Sequence, residues 1–367
     1  MDELPVKYVV ATLGLALGVV FGATAQKTNF CTMGAISDIV FIGSWNRMRA
    51  WLLAIAVAII GSQALHLAGL IDLNKSVYLT PSFGWLGAIV GGALFGFGMT
   101  LGSGCGSKTL VRIGGGNLKS VVVALFIAFF GYMTMRVLIA TARIPLEVAV
   151  NVNLAKATIP AQGIPDFLTV LTGLALPSAR IAVAAVAAAG LLWFCFRSAE
   201  FRASKLDVAA GLILGATVPA AWAVTGIVGN DPFAPTPLAG LTFVAPVAES
   251  VLYLMTFTGA AINFGIATVG GVILGAFLAA RAERSFRIEA FADASDMGRH
   301  MSGGALMGIG GVMAMGCTIG QGITGVSTLA LASALALGSI WAGGFFGMKY
   351  LEEGGFGAAA RALMRPS

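Results

Sequence analysis

MSGGALMGIGGVMAMGCTIGQGITGVSTLALASALALGSIWAGGFFGM, residues 301–348, runs for 48 residues without an Asp, Glu, Lys or Arg. A helix needs about 20 apolar residues to cross the hydrocarbon of a bilayer, so this run holds two crossings and a glycine-rich join. Four more stretches, 50–71, 76–107, 208–230 and 250–280, are equally free of charge. Of the 367 residues, 58% are hydrophobic and 10% charged, and the mean hydropathy is +0.91. A soluble surface needs about 25% charged residues. The composition therefore defines an all-α polytopic integral membrane protein. The net charge of +6 is small for this length, and no basic patch is interleaved with aromatics, which sets nucleic acid aside as a partner.

About nine transmembrane helices are expected, at 8–25, 50–71, 83–101, 120–141, 180–197, 207–228, 250–280, 302–320 and 326–348. The first is read as a retained helix, because no small-residue cleavage site ends it. The seventh is too long for one plain crossing and is expected to break near Gly259 or Gly270. Lys and Arg accumulate on the cytoplasmic side of membrane proteins. Placing the N-terminus outside and the C-terminus inside gathers Lys27, Arg47 and Arg49, then Lys108, Arg112 and Lys119, then Arg197, Arg202 and Lys205, and then Arg281, Arg284, Arg287 and Arg299 on one side. One mistaken hairpin would reverse half of these assignments.

Working outward from the quoted run, its GALMGIGGVMAMGC has Gly304, Gly308 and Cys317 in a Gly-x3-Gly-x8-Cys frame. GALFGFGMTLGSGC repeats it with Gly92, Gly96 and Cys105, and GVVFGATAQKTNFC repeats it with Gly18, Gly22 and Cys31. A fourth copy, GLILGATVPAAWAV, keeps Gly211 and Gly215 but has Val224 in place of the cysteine. The second and last copies are offset by 212 residues, the first and third by 193. The order is A–B–A′–B′, and an odd helix between the pairs turns the second set over. This predicts a pseudo-symmetric inverted repeat with a pathway between its halves. The halves are expected at 1–143 and 207–367, joined by a connecting segment and fifth helix at 144–206. GxxxG lets helices approach closely, and ordinary helix packing is its competing use. The glycine-rich segments after each GxxxG make poor continuous helix. Broken backbone at membrane depth is tolerated where protein covers it or where it lines a water-filled cavity, so short re-entrant or broken helices are expected there.

Three cysteines at matched positions suggest a shared task, although free cysteines also serve as small buried hydrophobes. A thiol is a weak donor and a soft, polarisable acceptor. Two or three along a narrow route could pass a soft anion without trapping it, and helix N-termini add N–H donors and positive potential. Asn29, Thr32, Ser103, Ser107, Thr318 and Gln321 flank the three cysteines as supporting polar groups, and Asn263 is placed to support a break in the seventh segment. Ser and Thr also bond to helix backbone, which is the plainer role. Lys108 and Arg112 are candidates for anion or partner contact on the inner side. Cys195, outside the frame, reads as packing. With two histidines and no CxxC, a metal site is not expected, no cofactor is implied, and no nucleotide-binding P-loop occurs.

NFCTMGAISD, GFGMTLGSGCG and MAMGCTIGQGITG resemble signature segments of the YeeE/YedE family of thiosulfate permeases and sulfur-transport proteins, and the likeness runs over roughly 10–350. The resemblance implies uptake of thiosulfate across the bacterial inner membrane, with Cys31, Cys105 and Cys317 lining the route and relaying the ion by S–H···S contacts. It further implies a TusA-like cytoplasmic sulfur carrier as partner, expected here as a separate polypeptide, and no catalytic residues. Three other readings stay open on sequence: a permease for another sulfur or selenium species, a membrane sulfurtransferase working through a cysteine persulfide, and a structural membrane protein whose cysteines only pack.

Overall fold

A computed structural model describes residues 5–157, 159–232 and 235–364. The first set of helices is α1 (Val6–Thr28), α2 (Thr32–Ser37), α3 (Asn46–Leu67), α4 (Gly92–Leu101), α5 (Gly106–Gly114) and α6 (Leu118–Arg136). Next come α7 (Leu138–Val150), α8 (Ile164–Thr172), α9 (Leu176–Phe196) and α10 (Ala199–Ala203). The second set is α11 (Lys205–Ala223), α12 (Val244–Met255), α13 (Phe264–Ala282), α14 (Ala294–Met313) and α15 (Leu331–Glu353), and α16 (Phe356–Met364) closes the described chain. Two-residue strands at Ser82–Phe83 and Val152–Asn153 make the one small sheet among the described residues. Among the described residues, eight helical segments are long and apolar enough to cross a membrane. The expected span at 302–320 is α14, which begins earlier and carries Asp296, Arg299 and His300 in its first turns. The Asp293 side chain caps it by accepting from the Asp296 N–H at 2.7 Å, so the helix starts at its cap and not where the apolar run starts. The protein is an all-α, multi-pass membrane protein.

The long seventh segment breaks between Met255 and Phe264, around Gly259, whereas Gly270 lies inside α13. Asn263 restarts the helix by accepting from the Ile266 N–H at 2.9 Å.

Packing partners exchange between the two sets. Helix α1 lies on α13 and α11 on α3, and α14 lies on α6 as α15 does on α4. Two contacts map onto themselves: α4 meets α14, and α1 meets α11. Each GxxxG frame makes one of these seams. Gly18 and Gly22 face Gly271 and Val272 of α13, and Gly211 and Gly215 face Ala50 and Ala54 of α3. Gly92 and Gly96 face Ala336 and Ile340 of α15, and Gly304 and Gly308 face Val123 and Ile127 of α6. Lipid tails are as apolar as leucine, so burial does not drive helices together in a membrane, and backbone approach at small residues does. The helix-packing use of the frame is therefore real at all four copies.

Candidate functional site

Each of the three frame cysteines follows a helix end. Asn29, Ser103 and Met315 stand two residues before Cys31, Cys105 and Cys317, and all three adopt left-handed φ values, 52°, 57° and 58°. This conformation is uncommon outside glycine and ends the long helix. Two residues later, at the cysteine, a new helical segment starts. Cys31 is the N-cap of α2, and its carbonyl accepts from the Ala35 N–H at 2.9 Å. Cys105 is the N-cap of α5, and its carbonyl accepts from the Thr109 N–H at 2.9 Å. Cys317 opens the segment that becomes π-helical at Gly320–Gly325, with its carbonyl accepting from the Gln321 N–H at 2.8 Å. Each thiol thus sits where free backbone N–H groups collect.

The three thiols belong to one buried core cluster, with exposures of 6% for Cys31, 1% for Cys105 and 0% for Cys317. The Cys31 and Cys105 thiols are neighbours within it. Cys105 Sγ lies 3.4 Å from Ser107 Oγ and beside the Thr318 hydroxyl. Cys317 Sγ accepts from the Gly320 N–H at 3.4 Å, and the Phe243 backbone lies near it.

Cys31 also lines a cavity of about 490 Å³ whose walls include Asn29, Arg47, Ser103, Lys108, Arg112 and Arg287. The four cations outnumber the single wall carboxylate, Glu289. Lys108 Nζ donates to Asn29 Oδ1 at 3.2 Å, and Arg112 donates to the Ser103 carbonyl at 2.8 Å. These two α5 cations therefore brace the left-handed turns ahead of Cys31 and Cys105 while facing the cavity. Nearby, Lys119 and Arg299 hold the Asp296 carboxyl well below the usual carboxylate range, tying the start of α6 to the start of α14. A second cavity of about 310 Å³ has Lys7, Val10, Gly240, Thr242, Glu249 and Asn263 in its wall. Lys7 and Gln26 belong to α1 and line different cavities. At 1.5 Å per residue they lie roughly 28 Å apart, about the thickness of the hydrocarbon core. The two cavities open at opposite ends of the protein.

The structure thus brings Cys31, Asn29, Ser103, Lys108 and Arg112 together at one mouth, with Cys105, Ser107, Thr318 and Cys317 sealed behind them. Thr32 is buried with its hydroxyl unpartnered among the described residues. Gln321 braces its own turn, donating from Nε2 to the Ala314 carbonyl. Asn263 stands apart at the second cavity, capping α13 and donating to Glu249 at 2.9 Å. Sequence reasoning passed over Arg47 and Arg287 as cavity walls, having read them as topology charges. Their positions at loop ends signal one side of the membrane, not a shared wall. At the fourth frame the helix continues, as the crossing expected at 207–228 has it, into a π-helical turn at Val224–Val228, so Val224 matches the cysteines in spacing but not in its place in the fold.

Cys195 is buried between α9 and α3, where Sγ donates to the Arg49 carbonyl at 3.3 Å. Cys195→Ala is expected to cost about 1 kcal/mol of stability and to leave transport unchanged, which thermal melting and uptake of the purified variant would check together.

Polytopic helices whose broken ends meet in the interior, with cavities entering from both ends, define a membrane transport protein. Residues 27–346 match the family model described as sulphur transport, and the chain belongs to that family. It is similar to the thiosulfate transporter TsuA of Escherichia coli (strain K12), 29% identical over 314 residues that cover 81% of this chain and 82% of the relative. It is also similar to the thiosulfate transporter TsuA of Spirochaeta thermophila, 27% identical over 318 residues that cover 82% and 86%.

Proposed function

We propose that the protein takes up thiosulfate across the bacterial inner membrane, passing the ion among Cys317, Cys105 and Cys31 and releasing it into the basic cavity. The observation that carries this reading is the gathering of three thiols at three half-helix starts in one cluster, one of them open to a cationic mouth. Thiosulfate offers a terminal sulfur to S–H donors and oxygens to N–H and O–H donors. Ser107 and Thr318 stand beside Cys105 as replacements for lost water. Weak donors in series suit passage, because an ion must enter a site and also leave it.

The basic cavity faces the cytoplasm in this reading, with the N-terminus outside and the C-terminus inside, as the distribution of Lys and Arg favours. The two halves are 1–143 and 207–367, with 144–206 joining them, and the exchange of packing partners supports that division. A TusA-like sulfur carrier would dock over the mouth at Arg47, Lys108, Arg112 and Arg287 and draw the ion out.

Reconstituted protein in proteoliposomes is the test. Thiosulfate influx should be competed by unlabelled thiosulfate far better than by sulfate, sulfite or selenite. Stronger competition by one of the others would replace the substrate. A sulfur label retained covalently on one cysteine would replace permeation with sulfur transfer. Lys108→Gln is expected to slow thiosulfate movement several-fold at low salt, about threefold to tenfold, and the deficit should narrow as ionic strength rises. Influx measured across a salt series would check it.

A further inference from the structure

The fourth half-helix start is occupied, and not by sulfur. Exchanging the two sets of elements pairs α2 with α12, since α2 packs on α3 and α15 as α12 packs on α13 and α6. The N-cap of α2 is Cys31 and the N-cap of α12 is Phe243, 19 residues beyond Val224. The sequence frame missed this counterpart because the second set inserts a π-helical turn and a loop before its break. The exchange extends to neighbours: Cys31 stands near the Cys105 thiol, and the Phe243 backbone stands near the Cys317 thiol.

We propose that Phe243 is the gate of the pathway, an aromatic plug between the two cavities that blocks water and hard anions and yields to the transported ion. This rests on the transport reading above and adds to it the residue that sets selectivity. Phe243 is fully buried, and its ring lies 5.3 Å from that of Phe21. Phe21 falls on α1 between Val10, in the wall of one cavity, and Gln26, in the wall of the other. The ring pair therefore sits between the cavities along the helix axis. Across from it, Phe243 Cβ is 3.9 Å from where a side chain at Gly106 would begin, immediately after Cys105. Thr242, its neighbour in sequence, lines the second cavity and packs on Gly320. Phe243 thus stands beside the residue that follows Cys105 and near Cys317, on the stretch between the two cavities. An apolar constriction gates by excluding water, and an ion passes it only when contacts on either side replace hydration. The neighbouring thiols offer those contacts to a soft ion more readily than to sulfate.

Wild type, Phe243→Ala, Phe243→Leu and Phe243→Trp proteins, reconstituted and matched for folded protein by melting temperature, would be assayed for thiosulfate, sulfate and chloride influx. Phe243→Ala should raise sulfate and chloride entry by about tenfold or more, Phe243→Leu by less, and Phe243→Trp should cut thiosulfate influx about tenfold. Folded Phe243→Ala or Phe243→Leu protein with wild-type sulfate and chloride entry overturns the gate. So does a loss of thiosulfate influx in Phe243→Ala without any rise in the other two ions. If Phe243→Ala does not fold, Phe243→Leu and Phe243→Trp decide by the same criteria. Wild type that moves no thiosulfate, beside a Phe243→Ala variant that leaks chloride, sinks the substrate and keeps the gate.

Discussion

Purified Cys105→Ala and Cys317→Ala proteins, melting close to wild type, are expected to move thiosulfate at about a tenth to a hundredth of the wild-type rate. A hydrogen bond to a charged group contributes about 1.5–3 kcal/mol, and about 1.4 kcal/mol is a factor of ten. In the proposed relay, losing one thiol raises one barrier by that amount and no neighbour compensates. Cys105 is the more exacting position, because it lies against Cys31 and beside the Thr318 hydroxyl. Cys31→Ala should cost less, because its side opens to a cavity where Lys108, Arg112 and water also meet the ion. Cys105→Ser separates hydrogen bonding from softness. Serine keeps a donor for the ion's oxygens but presents a hard oxygen to its terminal sulfur, so the variant should remain closer to Cys105→Ala than to wild type. Rates near wild type in inserted, folded Cys105→Ala and Cys317→Ala proteins would reject the relay. The fold should survive both changes, since the backbone bonds that cap α5 and the Gly320–Gly325 turn use carbonyls and not sulfur.

The membrane class and most crossings were legible because charge is excluded from hydrocarbon, and long gaps between charges mark the spans directly. The repeat was legible because small residues needed for backbone contact recur at helical spacing. Gly92 and Gly96 against α15, and Gly304 and Gly308 against α6, are the same seam used twice. The breaks at Asn29, Ser103 and Met315 were foreseen as regions but not as single residues. Two of those three left-handed positions, Ser103 and Met315, are held by residues that do not advertise that backbone. The fourth half-helix start, at Phe243, was not legible, because a fixed spacing cannot follow an insertion and Phe243 carries no sulfur to mark it. Asn263 was read into the pathway from its polarity. A buried-looking Asn in an apolar run also suits a helix cap, and that is the work it does. The cavity wall formed by Arg47 and Arg287 depends on distant segments folding together. The strand-like contact of the Glu289 region with the turn at Asn117 and Leu118 makes it, and no local pattern announces that contact.

Gly96→Leu is expected to abolish assembly of the protein, with almost no monodisperse material recovered from detergent, while Gly270→Ala is recovered at wild-type yield and melts no lower. The two positions look alike in sequence, each a glycine in an apolar helix. In the fold they differ sharply. A Cβ at Gly96 would overlap the Ile340 carbonyl and come within 2.8 Å of the Gly344 N, with backbone on both sides and no flexible side chain to move. Even Gly96→Ala forces α4 and α15 apart, at a cost of about 1–3 kcal/mol for overpacking. Leucine adds volume that neither helix can accommodate. Gly270 has nothing within 4 Å of its missing side chain and faces outward, so alanine there gains helix propensity worth about 0.5–1 kcal/mol. Gly308→Leu, at the symmetry-related seam, should fail as Gly96→Leu does, because its Cβ would meet the Ile127 carbonyl at 2.8 Å. Size-exclusion profiles and melting temperatures of the four variants would check this. Normal assembly of Gly96→Leu would mean that α4 and α15 do not pack backbone to backbone. The half-helix carrying Cys105, which α4 supports directly, would then lose the rigid base that holds its thiol against Cys31.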